Sequence, residues 1–438
     1  MRRLTAVLFW SVITAAFIGP GTVTTAATAG ARFGYRLLWA LVFSTVACLV
    51  LQEASARLTV VSGRNLGEAL RDRYPAGWRR ALTLLLVLGA IVLGCAAYEA
   101  GNILGGVAGA ALVIPLRPEL LALLSAVVAA ALLTFQSPRR VAFLLSLLVG
   151  VMGLAFLTTA VLLRPSVGGL VVGGLRPALP AGSSLLALGL VGTTVVPYNL
   201  FLGSGIARGQ RLGEVRFGLA VAILLGGAIS AGVLIVGTAS LGEMSFPELA
   251  RILADRLGSW ASPLFAAGLF AAGLSSAVTA PLAAAITARS LLAESAEDPR
   301  WSDTSLRYRA TWGLLLLVGL AFGVSGVRPI PVILVAQALN GILLPVSAIV
   351  LLLLVNDRGL MGERALNGPV SNLFLGLVTA VTVLLGVAGV ARVVARVLGR
   401  PAPGLGELFT LAAATALAVA LPVARGVRRR RTVPAAEG

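Results

Sequence analysis

Ile18-Gly19-Pro20-Gly21-Thr22 and Gly192-Thr193-Thr194-Val195-Val196-Pro197-Tyr198-Asn199 each interrupt the middle of a long apolar run. Proline removes a backbone donor and the neighbouring glycines lower the resistance to unwinding, so a membrane helix is expected to break at both places. One mid-membrane proline usually makes only a kink. Pro20 and Pro197, however, hold corresponding positions in two successive blocks of five apolar segments. Five is odd, so the second block must run inverted relative to the first. That is the sequence mark of an inverted-repeat transporter whose site lies between two discontinuous helices.

The composition agrees with a membrane protein. Of 438 residues, 58% are hydrophobic and 12% charged, with mean hydropathy +0.97. A soluble chain carries roughly twice that charge. Twelve apolar segments lie near 5–30, 36–61, 80–113, 119–135, 141–163, 184–207, 217–241, 262–292, 311–327, 330–354, 370–397 and 405–424. They predict an all-α polytopic fold: one transporter domain over 1–425, with repeats at about 5–163 and 184–354, two extra helices within 370–424, and a basic tail at 426–438. No small-residue cleavage site follows Arg2 and Arg3, so the first segment reads as an uncleaved span.

All 35 cationic residues are arginine, and the net charge is +18. In a soluble protein that balance would point to nucleic acid; here it sets topology, and no nucleic-acid partner is expected. With the N-terminus inside, 24 of the 35 arginines fall in connections on the inner face. Both termini are therefore expected in the cytoplasm of a prokaryotic cell whose plasma membrane holds the protein. The run Arg428–Arg431 reads first as a topological anchor and second as a contact for anionic lipid head groups. Cys48 and Cys95 sit in apolar runs and read as packing residues.

Polar residues elsewhere in the spans mark a cavity. Glu99 and Asn102 are three apart in span 3, as are Gln337 and Asn340 in span 10, so each pair shares a helix face. An ionisable group near mid-membrane is costly and by default functional, which singles out Glu99. Glu53 lies nearer the inner end of span 2, four residues before Arg57, where an ion pair explains it equally well. Ser275, Ser276 and Thr279 in span 8 read as helix-packing residues. Gly101, Gly105 and Gly109 read as a face for close helix approach.

Several stretches resemble the natural-resistance-associated macrophage protein, or Nramp, transporters. They are Leu51-Gln52-Glu53-Ala54-Ser55-Ala56-Arg57-Leu58 continuing to Pro75, Ala29-Gly30-Ala31-Arg32-Phe33-Gly34-Tyr35, Gly273-Leu274-Ser275-Ser276-Ala277-Val278-Thr279, and Asn356-Asp357-Arg358-Gly359-Leu360-Met361-Gly362-Glu363. The resemblance implies a LeuT-type fold with helices 1–5 and 6–10 as inverted repeats. It departs where that family binds metal. Nramp metal transporters carry Asp-Pro-Gly-Asn in helix 1 and Met-Pro-His-Asn in helix 6, whereas this chain has Gly19-Pro20-Gly21-Thr22 and Val196-Pro197-Tyr198-Asn199. The two helix-6 histidines that the resemblance implies are replaced by Tyr198 and Gly203, and one helix-3 acid by Ala96. Of the implied ligand set, Gln337 and a backbone carbonyl near Thr193 remain.

A Mn or Fe site normally offers carboxylate, imidazole or sulfur. Neither broken segment contains any of these, so no metal-ligating residue and no cofactor is assigned. The expected substrate site is Gly19, Gly21, Thr22, Thr193, Thr194, Val196, Tyr198, Asn199, Gln337 and Asn340, with Pro20 and Pro197 as the helix breaks. Amides of half-helix N-termini together with hydroxyls favour a neutral or anionic small organic solute. Glu99, Asn102 and Glu53 are the candidate proton-coupling residues. The function read from the sequence is secondary active transport, with the bilayer, a small solute and possible protons as partners. The alternatives are a divalent-cation carrier, best suited to hydrated Mg²⁺, and a non-transporting sensor. With no His in the chain and no nucleotide-binding loop, an enzyme is not expected.

Overall fold

In the computed structural model, which describes residues 18–135, 139–295, 297–398 and 403–432, Pro20 opens the first described helix, α1 (Pro20–Phe33). Gly19 before it is extended, at φ −88° and ψ 176°. Proline suits this first helical position because its missing N–H would have had no helical partner and its φ is already set. The preceding part of span 1, residues 5–17, lies outside the described residues, as do Arg2, Arg3 and the last six residues.

Repeat one continues with α2 (Leu38–Ser62), the short α3 (Leu66–Arg73), α4 (Gly77–Ala110, with a wider π-turn over Leu84–Leu88), α5 (Pro118–Thr134) and α6 (Arg139–Leu162). After a connecting helix α7 (Val167–Leu175), repeat two starts with the pair α8 (Ser184–Thr194) and α9 (Pro197–Ile206). It continues with α10 (Leu212–Gly237), the short α11 (Phe246–Leu257), α12 (Ala261–Leu292), α13 (Leu306–Val324) and α14 (Pro329–Leu354). A short α15 (Arg358–Ala365) leads to the two extra helices, α16 (Pro369–Val397) and α17 (Leu405–Thr432). Every regular element among the described residues is helical.

The repeat extends to its small helices. Both α3 and α11 follow the second long helix of their repeat, and both begin with a side-chain cap. Asn65 accepts from the Glu68 amide while Glu68 accepts from the Asn65 amide, closing a capping box. Ser245 accepts from the Glu248 amide. These contacts satisfy amides that the first helical turn leaves without partners.

Nine stretches among the described residues are long and apolar enough to cross a membrane, and the sequence reading gives twelve spans. The difference has local causes. The stretch Pro20–Ser62 merges two helices, α5 has only 17 residues, and the first turn of α13 carries Arg307 and Arg309.

Helix α4 forms the centre of the packing. Its Gly105 lies so close to α1 that a methyl group there would come within 2.2 Å of the Pro20 Cβ. On another side, Gly106 of α4 meets Gly273 of α12, where a methyl on Gly273 would sit 2.5 Å from the Gly106 Cα. The expected glycine face thus serves several neighbours: Gly101 and Gly105 face Ile333 of α14, and Gly109 abuts the α12 backbone at Phe270. In a bilayer, helices gain by such close approach rather than by burying apolar surface from water.

Candidate functional site

The start of α1 meets the break in helix 6. Helix α8 ends at Thr194, Val195 and Val196 leave helical geometry at ψ 84° and 123°, and Pro197 starts α9. Across the gap the hydroxyls of Thr22 and Thr193 are hydrogen-bonded at 2.8 Å. Helix α14 closes the same space. A methyl on Gly21 would come within 2.1 Å of Gln337 Nε2, and one on Gly192 within 2.0 Å of the Gln337 carbonyl oxygen. Gln337 therefore lies between α1 and α8, which is possible only because each offers a glycine there.

Most of the expected site is buried, yet many of its polar atoms lack partners. Tyr198 OH, both side-chain heteroatoms of Asn199, Gln337 Oε1, Asn340 Oδ1 and Ser276 Oγ have no hydrogen bond. Leaving such a group unpaired and dry costs about 1–3 kcal/mol. The set mixes donors and acceptors, so water or a polar solute can satisfy it. Ser276 belongs to this group by position as well, because a methyl on Gly19 would sit 3.2 Å from its Oγ. Its neighbours behave as the sequence predicts for packing residues: Ser275 donates to the Ala272 carbonyl and Thr279 to the Ser275 carbonyl. Thr194 donates to the Leu190 carbonyl within its own helix. Asn340 donates to the Ala336 carbonyl at 3.1 Å and the Gly94 carbonyl at 3.4 Å, tying α14 to α4.

Sequence reasoning missed Tyr98. Its ring meets Tyr198 edge-to-face at 5.7 Å between centroids. Its hydroxyl donates to the carbonyls of Thr193, at 3.4 Å, and Gly192, at 3.5 Å. The end of α8 releases carbonyls that lack helical donors, and Tyr98 supplies one. A polar-tipped aromatic one residue before Glu99 was the available signal.

The two membrane acids have different surroundings. Glu99 is fully buried on α4, where Asn102 Nδ2 donates to its Oε2 at 3.4 Å and Oε1 has no partner. Its side chain packs on α13, since a methyl on Gly319 would come within 2.8 Å of the Glu99 Cγ. Glu53 is held in an ion pair by Arg57, at 3.2 Å, and by Arg216 of α10, at 2.7 Å. Among the described residues, no three His, Cys, Asp or Glu side chains come close enough to share a metal ion. Cys48 and Cys95 are buried and unbridged.

A helix that starts at a mid-span proline and faces a discontinuous helix at the corresponding place of the second repeat is the arrangement of a LeuT-type transporter. The family model described as natural resistance-associated macrophage protein-like matches residues 11–392, and the chain belongs to that family. A divalent metal cation transporter MntH from Aeromonas hydrophila is 28% identical over 389 residues, covering 84% of this chain and 90% of that protein. The crystal structure of the Eremococcus coleocola manganese transporter superposes with a TM-score of 0.73 at 21% identity, covering 98% of this chain and 95% of that one. Mhp1, a nucleobase-cation-symport-1 family transporter solved in a closed conformation with bromovinylhydantoin bound, matches with a TM-score of 0.56 at 18% identity over 96% and 92%.

Proposed function

We propose that this Nramp-family transporter carries a small neutral or anionic organic solute and has lost the transition-metal site of its relatives. The observation that carries the reading is the hydroxyl bridge between Thr22 and Thr193 beside Gln337, in a gap with unpaired amide and hydroxyl groups. Stripping tightly held water from Mn²⁺ or Fe²⁺ takes anionic or soft ligands. Gly19, Thr22 and Val196 supply none, and the Glu99 side chain of α4 packs on α13. Hydroxyls and amides suit a solute that both donates and accepts hydrogen bonds. Mhp1 holds a hydantoin on the same broad fold.

Both termini belong on the cytoplasmic side in this reading, from the arginine asymmetry of the connections. Coupling to protons, where it occurs, falls to Glu99. Glu53 is committed to Arg57 and Arg216. Replacing Glu99 by Gln should abolish pH-driven accumulation while leaving solute binding measurable; unchanged pH dependence would return Glu99 to a structural role.

Thermal unfolding of the purified protein against a panel tests the substrate class. A solute at a hundred times its Kd stabilises the folded state by about 2.7 kcal/mol. Stabilisation by an organic acid or polar neutral solute, with none from Mn²⁺ or Mg²⁺, is expected. Saturable stabilisation by Mg²⁺ alone would favour the hydrated-cation reading instead.

A further inference from the structure

The connection between the two repeats contains α7, whose sequence is Val-Gly-Gly-Leu-Val-Val-Gly-Gly-Leu over Val167–Leu175. It carries no charged or hydrogen-bonding side chain. Nine helical residues rise about 14 Å, less than half of a hydrocarbon core of about 30 Å, so α7 cannot cross a bilayer.

Its two faces differ. The glycine face rests on the corner where α1 turns into α2, at Gly34–Leu37. A methyl on Gly173 would come within 2.3 Å of the Tyr35 carbonyl oxygen, and one on Gly169 within 3.1 Å of the Tyr35 ring. Gly174 lies further along α2, where a methyl would sit 3.6 Å from Val42 Cγ2. The Trp39 indole donates to the Ala178 carbonyl at 2.9 Å and fixes the chain just after α7. The other face holds Val167, Val171 and Leu175, which are spaced four apart and so form one stripe. They are 75%, 52% and 75% exposed.

Helix α11 shows how a water-facing helix is built on this side of the bundle. The span Ser184–Ile206 and α10 each cross once between α7 and α11, so both short helices lie on the same side. Helix α11 buries Phe246, Leu249 and Leu253 and exposes Arg251, Asp255 and Arg256. Arg251 pairs with Glu248 at 2.8 Å and Asp255 at 2.7 Å. Helix α7 exposes only apolar side chains, and the exposed Arg164 and Arg176 stand outside its two ends. Arginines so placed reach the head groups while the apolar residues between them enter the acyl layer.

We propose that the exposed stripe of α7 lies among the acyl chains of one leaflet, with Arg164 and Arg176 at the level of the lipid phosphates. The bilayer thereby holds the corner between α1 and α2. Lipid is favoured over a second copy of the chain because Gly174 adjoins Val42, which is exposed on the membrane span α2 and continues the same apolar surface.

Nitroxide labels on single introduced cysteines, in vesicles of phosphatidylglycerol and phosphatidylcholine, test it. Cys48 and Cys95 are buried and leave the label to the new position. Relaxation by oxygen and by a water-soluble nickel chelate gives each label's depth. Val171→Cys should sit about 5–10 Å below the phosphates. Arg176→Cys should sit at phosphate level, and Glu243→Cys, in the connection before α11, in water. A Val171 label as open to nickel as the Glu243 label, or no deeper than the Arg176 label, overturns the proposal. Spin–spin broadening at Val171 that vanishes on dilution with unlabelled protein puts a second copy on the stripe and overturns the lipid assignment. Val167→Asp/Val171→Asp should raise the mobility of a label on Arg36→Cys, at the corner. Unchanged mobility there overturns the brace.

Discussion

The gap between the broken helices and the arginine-rich end of the bundle are both polar, but they treat polarity in opposite ways. Around the helix-6 break, Tyr198, Asn199, Gln337 and Ser276 keep heteroatoms without partners, as does Asn340 Oδ1 against Gly94 of α4. At the arginine end the groups satisfy one another. Arg57 donates to the Ala365 carbonyl and to Asn367, and Arg431 donates to Asn356 and to the Asn367 carbonyl. The amides of Asn356 and Asn372 donate to each other's oxygens at 2.8 and 2.9 Å. A satisfied network holds elements together, whereas an unsatisfied one awaits something that completes it. The first is a clamp joining α2, α17 and the connection from α14 to α16; the second is the proposed substrate site.

The comparison breaks most visibly at Asp357. Replacing it by Ala leaves Arg430 buried beside no counter-charge, which should destabilise the protein by about 3–5 kcal/mol. Unfolding in detergent would measure this, and a loss under about 1 kcal/mol would mean that the clamp is only a surface pair. The paired threonines should behave differently. Changing Thr22 and Thr193 together to Val removes both partners of one bond, so stability should shift by less than about 1 kcal/mol. Solute-dependent stabilisation should nevertheless disappear. If the double variant still responds to the solute, the hydroxyls are packing residues and the gap differs from the clamp only in appearance.

A third, small effect sharpens what a satisfied acid does. Arg300, together with the Glu294 amide, holds the Asp298 carboxyl well below the usual carboxylate range. A depressed folded value gives stability that is complete above the unfolded value of about 3.9. It is lost only as pH falls below that toward the folded value. Melting temperatures of wild type and Asp298→Asn should therefore differ by the same amount at pH 7 and pH 5. A difference that shrinks between those values would contradict the pairing.

Much of the fold was legible because proline and glycine act locally. Pro20 starts a helix and Val196-Pro197 breaks one by their own backbone chemistry, and the odd number of spans in each block fixes the inversion. The substitution pattern at Gly19, Thr22 and Val196 was equally readable, since ligand chemistry belongs to residue type. What remained hidden is created by the fold. Tyr98 gains its role only where α8 ends against it. Asp357 and Arg430 lie 73 residues apart, and neither announces the other. The unpaired atoms of the gap are likewise a property of the assembled helices, because only three-dimensional neighbours decide which donors are met.

Manganese flux into proteoliposomes tests the loss of the metal site most directly. Purified, unmodified protein should give no saturable Mn²⁺ uptake above that of protein-free vesicles, at any imposed pH gradient. Saturable uptake competed by Fe²⁺ or Cd²⁺ would contradict the account and return the chain to the metal transport for which its MntH relatives are named.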